Sequence, residues 1–202
     1  MKAFRKVMVL ILAAALCFGL ALSLASCGNN DDETIEITDM SGTTVKIPKS
    51  PKKVAAVSPS TGDLMIAFGL GDLLDGTYYS TLNNPWAKEI YPESESFCGY
   101  DYDNSVETFV MQGVDLIFIP EPSAAQTLRD HGLNALCVRQ FAETGYDDYV
   151  FYFSEMVRQI WGEDETVSAR IDMWQNDFST ALNDVKAVLA QHPEIETRTL
   201  YY

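Results

Sequence analysis

The chain has 202 residues, 47% of them hydrophobic and 21% charged, with 14 Lys and Arg against 29 Asp and Glu. An ordinary apolar fraction with 10 Tyr and 10 Phe excludes a disordered chain, and 12 Gly with 8 Pro exclude a collagen-like or low-complexity one. A net charge of −15, with no basic face to neutralise phosphates, excludes a nucleic-acid partner.

Lys2, Arg5 and Lys6 precede an uncharged apolar run over 7–24, then small Ala25 and Ser26, Cys27 and a polar stretch. A basic start, an apolar core and a small-residue cleavage site make up a secretory signal peptide, expected here over residues 1–26. The alternative is a single spanning helix, because about 18 apolar residues just reach across a bilayer. No basic stop-transfer cluster follows Cys27, which favours processing. Residues 27–34 read as a polar tether.

Ile35 and Ile37, then Val45 and Ile47, alternate with polar residues around Ser41-Gly42, which predicts a β-hairpin. The apolar run at 53–57 predicts a buried strand, followed by a helix capped by Ser60 or Thr61 that carries Leu64, Met65 and Phe68 and stops at Gly69. Strands are expected at 73–78, 114–119 and 135–138, and helices at 86–91, 106–111 and 124–131; 79–104 is mostly irregular. Such alternation predicts an α/β fold, a Rossmann-like lobe over 35–162 with a mostly parallel sheet flanked by helices.

A helix is expected at 149–161. Val167, Ile171, Trp174, Phe178, Leu182, Val185 and Leu189 then recur at spacings of 3 and 4, one apolar stripe on a helix over 164–191. That helix would be roughly 40 Å long at about 1.5 Å per residue. His192-Pro193 ends it, and residues 197–202 read as the opening of a new strand.

Motifs for catalysis are scarce. His131 and His192 sit at helix ends without metal-ligand spacing, and Gly69-Leu70-Gly71 follows a helix, the wrong order for a dinucleotide loop. No cofactor is expected. Glu93, Glu95, Asp101 and Asp103 could pair as carboxylates of a hydrolase, or form a solvated rim. Tyr78, Tyr79, Tyr91, Tyr100 and Tyr102 follow strands or lie in the irregular stretch, and can face a large, partly polar ligand or simply pack. After the signal, Cys98 and Cys137 remain; Leu136-Cys137-Val138 reads as buried strand, which favours free thiols.

Leu24-Ala25-Ser26-Cys27 resembles the lipobox of bacterial lipoproteins, which implies a lipid on Cys27 that holds the chain to the outer face of the cell membrane. Thr38-Asp39-Met40-Ser41-Gly42 with Val45-Lys46-Ile47-Pro48, then Pro51-Lys52-Lys53-Val54, Ser58-Pro59-Ser60 and Gly69-Leu70-Gly71-Asp72, resemble a family of transport proteins. Ser105-Val106-Glu107 and Asp115-Leu116-Ile117 are similar to its second signature. The family is the solute-binding lipoproteins of ABC importers that handle iron–siderophore complexes, haem, cobalamin and related metal chelates.

The resemblance covers 35–202 and implies the family's first lobe, its long inter-lobe helix (163–192) and the first strand of its second lobe. It implies a cleft lined by Ser58, Ser60, Tyr79, Tyr100, Tyr102, Glu121 and Arg139, and permease docking through Glu107. Many members have an aromatic residue where this chain has Pro120-Glu121-Pro122. For Glu107, the alternative is an ordinary helix N-terminal acid. The implied partners are ABC permease subunits and a chelate such as a ferric siderophore, haem or cobalamin. A surface hydrolase using 93–103 and an adhesin without small ligand are the rival readings.

Overall fold

The computed structural model describes residues 33–139 and 146–192; the signal peptide expected at 1–26, Cys27 and the strand expected at 197–202 lie outside them. The chain divides after Glu33, and the unit from Thr34 onward holds all the described strands and helices. β1 (Thr34–Thr38) pairs antiparallel with β2 (Thr44–Pro48), Ile35 opposite Ile47 and Ile37 opposite Val45, the hairpin that the alternation predicts. Gly42 sits in the turn with φ +81, where a side chain would be strained.

Five parallel strands complete the described strands: β3 (Val54–Ala56), β4 (Leu74–Tyr78), β5 (Cys98–Tyr100), β6 (Leu116–Ile119) and β7 (Ala135–Cys137), in the order β5-β4-β3-β6-β7. The helices between them are α1 (Pro59–Ala67), α2 (Tyr79–Leu82), α3 (Pro85–Ile90), α4 (Val106–Gln112) and α5 (Pro122–Asp130). α6 (Tyr146–Trp161) and α7 (Glu165–Gln191) complete the described chain. The expected α/β architecture is present.

The sheet is apolar on both faces, because helices cover both. Val54, Ala56, Leu116, Phe118 and Leu136 meet the hairpin, α1, α6 and the start of α7 on one side. Ala55, Val57, Ile117, Ile119 and Ala135 meet Phe109 of α4 and Ala125 and Leu128 of α5 on the other. Phe153 of α6 is fully buried, with its ring centroid 5.3 Å from Phe118 and 6.5 Å from Phe68.

Three details differ from expectation. α1 begins one residue after Ser58, not at Ser60 or Thr61, because Pro59 has a preset φ and no N–H to leave orphaned at the first helical position. The stretch 79–104 is more regular than expected: besides the expected helix near 86–91, which is α3, it holds α2, a 3₁₀ turn at Pro92–Ser96 and β5. Between β3 and β4 the register slips, Val54 facing Leu74 but Ala55 facing Gly76, so Asp75 is an extra, bulged residue.

α7 is the long helix expected from the stripe, and Asp164 caps it by accepting from the N–H groups of Thr166 and Val167. Val167 and Ile171 are buried, Trp174 and Phe178 stack at 5.1 Å, and Val185 and Val188 are more than half exposed. The lobe therefore covers the first half of the stripe only. Among the described residues no helix is long and apolar enough to cross a membrane. Cys98 and Cys137 are both free, on the two outer strands. Four strand spacings of about 4.8 Å separate them, well beyond disulfide reach.

Candidate functional site

The strand order places a switch point between β3 and β6. From β3 the chain moves outward to β4 and β5, and then crosses back to lay β6 and β7 on the other side of β3. Connections diverge there, leaving a crevice beyond the carboxyl ends of the strands, where open α/β sheets bind ligands. Ser58 follows β3 and Glu121 follows β6, so these two flank the crevice. Tyr78 and Tyr79 lie at the end of β4, Tyr102 beyond β5 and Arg139 beyond β7.

Tyr78 is the centre of an aromatic stack. Its ring centroid is 4.6 Å from Tyr79 and 4.6 Å from Tyr102, near-parallel to the latter at 22°. Tyr79 is 49% and Tyr102 40% exposed, so the stack opens to solvent on both sides. A hydrogen bond with Tyr79, then burial and the Asp101 carboxylate, push the Tyr78 hydroxyl up to about 12. Burial first, then Asp101, Tyr79 and Glu121, raise Tyr102 as well. At neutral pH these are uncharged phenols. The family correspondence leaves Tyr78 out, although its place as the last residue of a strand, next to Tyr79, is visible in the sequence.

Tyr100 does not join the stack. It is 1% exposed, its ring stacks on Phe109 at 5.2 Å, and its hydroxyl donates to Asp75. The cause is where the strand ends: Tyr100 is the last residue of β5 and points into the α4 side of the core, whereas Tyr102 lies beyond the end of β5, where the pairing no longer sets its direction. Its partner Asp75 also pairs with Lys53 Nζ at 2.9 Å. Tyr91 is likewise elsewhere, donating to Asp72 beneath the start of β4.

The acidic 93–103 stretch is not one loop. β5 divides it, leaving Glu93 and Glu95 at the amino ends of the strands and Asp101 and Asp103 at the carboxyl ends. Carboxylates at opposite ends of the strands do not flank one scissile bond, so no pair that takes one acid from each end can serve a hydrolase. Among the described residues, no group of three His, Cys, Asp or Glu side chains is arranged to hold a metal.

The remaining positions sit at helix beginnings. Ser58 precedes α1 and makes no side-chain capping bond, and Ser60 is half-buried in the first turn. Glu121 precedes α5 between two prolines, also without a capping bond. Glu107 is exposed in the first turn of α4, where its own amide and the Ser105 hydroxyl hold its carboxyl below the ordinary range. A shallow groove lined by Asp148, Phe151, Tyr152 and Glu155 runs along α6.

No family model matches the chain. It is 26% identical over 189 residues to an uncharacterized ABC transporter substrate-binding lipoprotein of Bacillus subtilis (strain 168), covering 83% of this chain and 56% of that protein. Among solved structures, the petrobactin-binding protein of Bacillus subtilis superposes with a TM-score of 0.62 at 16% identity, over 79% of this chain and 54% of that one. A siderophore-binding protein, bound to a complex of two acinetobactin molecules and ferric iron, gives 0.64 at 14% identity, over 80% of this chain and 56% of that one. The chain thus shares the fold of one part of these periplasmic binding proteins and spans about half the length of the relatives it matches.

Proposed function

We propose that this chain supplies the first wall of an extracytoplasmic solute-binding lipoprotein that captures a siderophore-like or other metal chelate for an ABC importer. The observation that carries the reading is the exposed Tyr79–Tyr78–Tyr102 stack beside the crevice of a sheet similar to those of siderophore-binding proteins. Flat aromatic faces with one polar edge suit a large, partly polar ligand. Ser58, Ser60, Tyr79, Tyr102, Glu121 and Arg139 would complete this wall, with Tyr78 at its centre.

A chelate held there raises stability by mass action, by about 2.7 kcal/mol at a hundred times its Kd. A thermal-shift screen of ferric siderophores, haem and cobalamin on the full-length protein should find at least one such rise. Tyr78→Ala should weaken binding of that chelate by roughly tenfold, the scale of a lost aromatic pair. If no chelate moves the transition, an adhesin without small ligand becomes the better reading.

Anchoring and docking extend the proposal. Cys27 would carry the lipid, so Cys27→Ala should release the protein from the membrane fraction; a variant that stays membrane-bound with unchanged N-terminal mass argues against acylation. Glu107 would meet basic residues of the permease, and charge pairs of this kind act on association rate and specificity. Glu107→Arg should cut chelate uptake in cells at least tenfold while leaving chelate binding intact. Equal loss of both would point to a fold defect instead.

A further inference from the structure

β5 is an outer strand of three residues, and among the described strands it pairs with β4 alone. Beyond it, the turn that carries Tyr102 is closed on itself. The Asp101 N–H donates to Asn104 Oδ1 at 2.7 Å, and the Asn104 N–H to the Asp101 carbonyl at 3.2 Å. On the ridge at the carboxyl ends of the strands, Tyr102 therefore stands where the end of β5 puts it. A three-residue edge strand has little backbone pairing to fix it, yet Tyr102 keeps a ring contact of 4.6 Å with Tyr78.

Asp75 supplies a side-chain hold. Its carboxylate is 10% exposed, accepts from the Tyr100 hydroxyl and pairs with Lys53 Nζ at 2.9 Å. Lys53 Nζ in turn donates to the carbonyl of Gln112, the last residue of α4. One carboxylate thus joins the end of β5 to β4, to the entry of β3 and to the helix whose Phe109 stacks on Tyr100.

The bulge lets β4 carry this hold and the stack together. In a regular strand, residues three apart point to opposite faces. Here Thr77 faces Gly62 of α1, while Tyr78 lies in register with Tyr100, whose ring is on the α4 side. The extra residue brings Asp75 and Tyr78 to that same face, one near each end of β4. Bulges that re-aim a side chain in this way are over-represented beside functional sites.

We propose that Asp75 is a positioning residue: through the Tyr100 hydroxyl it holds the end of β5, and with it Tyr102, in stacking contact with Tyr78. The effect on ligand rests on the binding-protein reading above; the contact itself does not.

The test uses the full-length protein labelled at its tyrosine rings, with resonances assigned by single Tyr→Phe variants. The wild type should show a ring-to-ring nuclear Overhauser effect between Tyr78 and Tyr102. Asp75→Ala and Tyr100→Phe should each lose most of it, and lower chelate affinity by up to the roughly tenfold expected of Tyr78→Ala. Asp75→Asn still offers an acceptor to the Tyr100 hydroxyl and should keep both. Leu128→Ala, which opens a cavity under α5, should destabilise the fold at least as much and spare the contact. The positioning role is overturned by a contact absent from the wild type or kept in full in Asp75→Ala and Tyr100→Phe. Equal loss in Asp75→Asn or in Leu128→Ala would overturn it too. Loss of the contact with chelate affinity unchanged would uphold the positioning role and overturn the stack as the ligand wall.

Discussion

Replacing Asp39 by Ala should cost about 3–5 kcal/mol of folding stability, the range for removing one partner of a buried ion pair. The Asp39 side chain is fully buried in the turn between β1 and β2. Its Oδ1 accepts from the N–H of Ser41 at 2.9 Å and of Thr43 at 3.1 Å, and from the Ser41 hydroxyl at 2.6 Å. Its Oδ2 accepts from Arg129 at 3.1 Å and from the N–H of Cys137 at 3.0 Å. One carboxylate thus joins the hairpin, the outer strand β7 and α5. Truncation would leave the Arg129 guanidinium, 12% exposed, without its anion. Urea denaturation at neutral pH reads the loss, and a loss below about 1 kcal/mol, the scale of one ordinary hydrogen bond, would sink the argument. Adding Arg129→Met to Asp39→Ala should recover part of the loss, since no unpaired charge then remains.

The pH dependence of that bond follows in sign. Burial pushes the Asp39 carboxyl up, but the Ser41 hydroxyl and the amides of Cys137, Thr43 and Ser41 outweigh it, so the group sits below its ordinary 3.8. A depressed carboxylate stabilises the fold fully above its unfolded value and loses that contribution as pH falls through its folded value. Wild type and Asp39→Ala should therefore differ by a constant amount at neutral pH and converge on acidification below 3.8. A gap that persists unchanged through that range would show that charge is not what the site contributes.

What could be read in the sequence divides along physical lines. β3 and β6 were legible because both faces of a central parallel strand are buried, so Val54-Ala55-Ala56 and Leu116-Ile117-Phe118-Ile119 stand out as apolar runs. β5 was not, because Cys98-Gly99-Tyr100 is three residues long and its half-exposed edge position asks for no apolar pattern. Missing β5 had a consequence at the site: without it, Tyr100 and Tyr102 look equivalent, and so do Glu93 and Asp101. Their separation to core and ridge, and to opposite ends of the sheet, is decided by pairing with β4, which no local signal records. Asp39 was visible as part of a motif, yet its partners Arg129 and Cys137 lie 90 and 98 residues away.

Gly76→Ala should remove β5 from its place and the tyrosine stack with it. Gly76 lies in β4 directly opposite Cys98 of β5. A Cβ there would stand 2.2 Å from the Cys98 carbonyl oxygen and 2.8 Å from its carbonyl carbon. Both are backbone atoms, so no rotamer change can relieve the clash; the strands must part. Overpacking typically costs about 1–3 kcal/mol, and a backbone clash belongs at the upper end. The effect on the ridge should exceed the effect on stability. Tyr102 follows β5 and Tyr78 ends β4, so their 4.6 Å contact depends on the pairing that Gly76 permits. Near-UV circular dichroism should show the stack's tyrosine signal reduced while the far-UV spectrum stays close to wild type. Chelate affinity should fall at least as far as in Tyr78→Ala. The comparison with Gly113→Ala controls for adding a methyl group, because nothing lies within 4 Å of a Cβ at Gly113. That variant is strained by its φ of +62 but should leave the ridge intact. Should Gly76→Ala keep both the near-UV signal and wild-type affinity, β5 must tolerate displacement without moving Tyr102, and the stack could not be the element that holds the ligand.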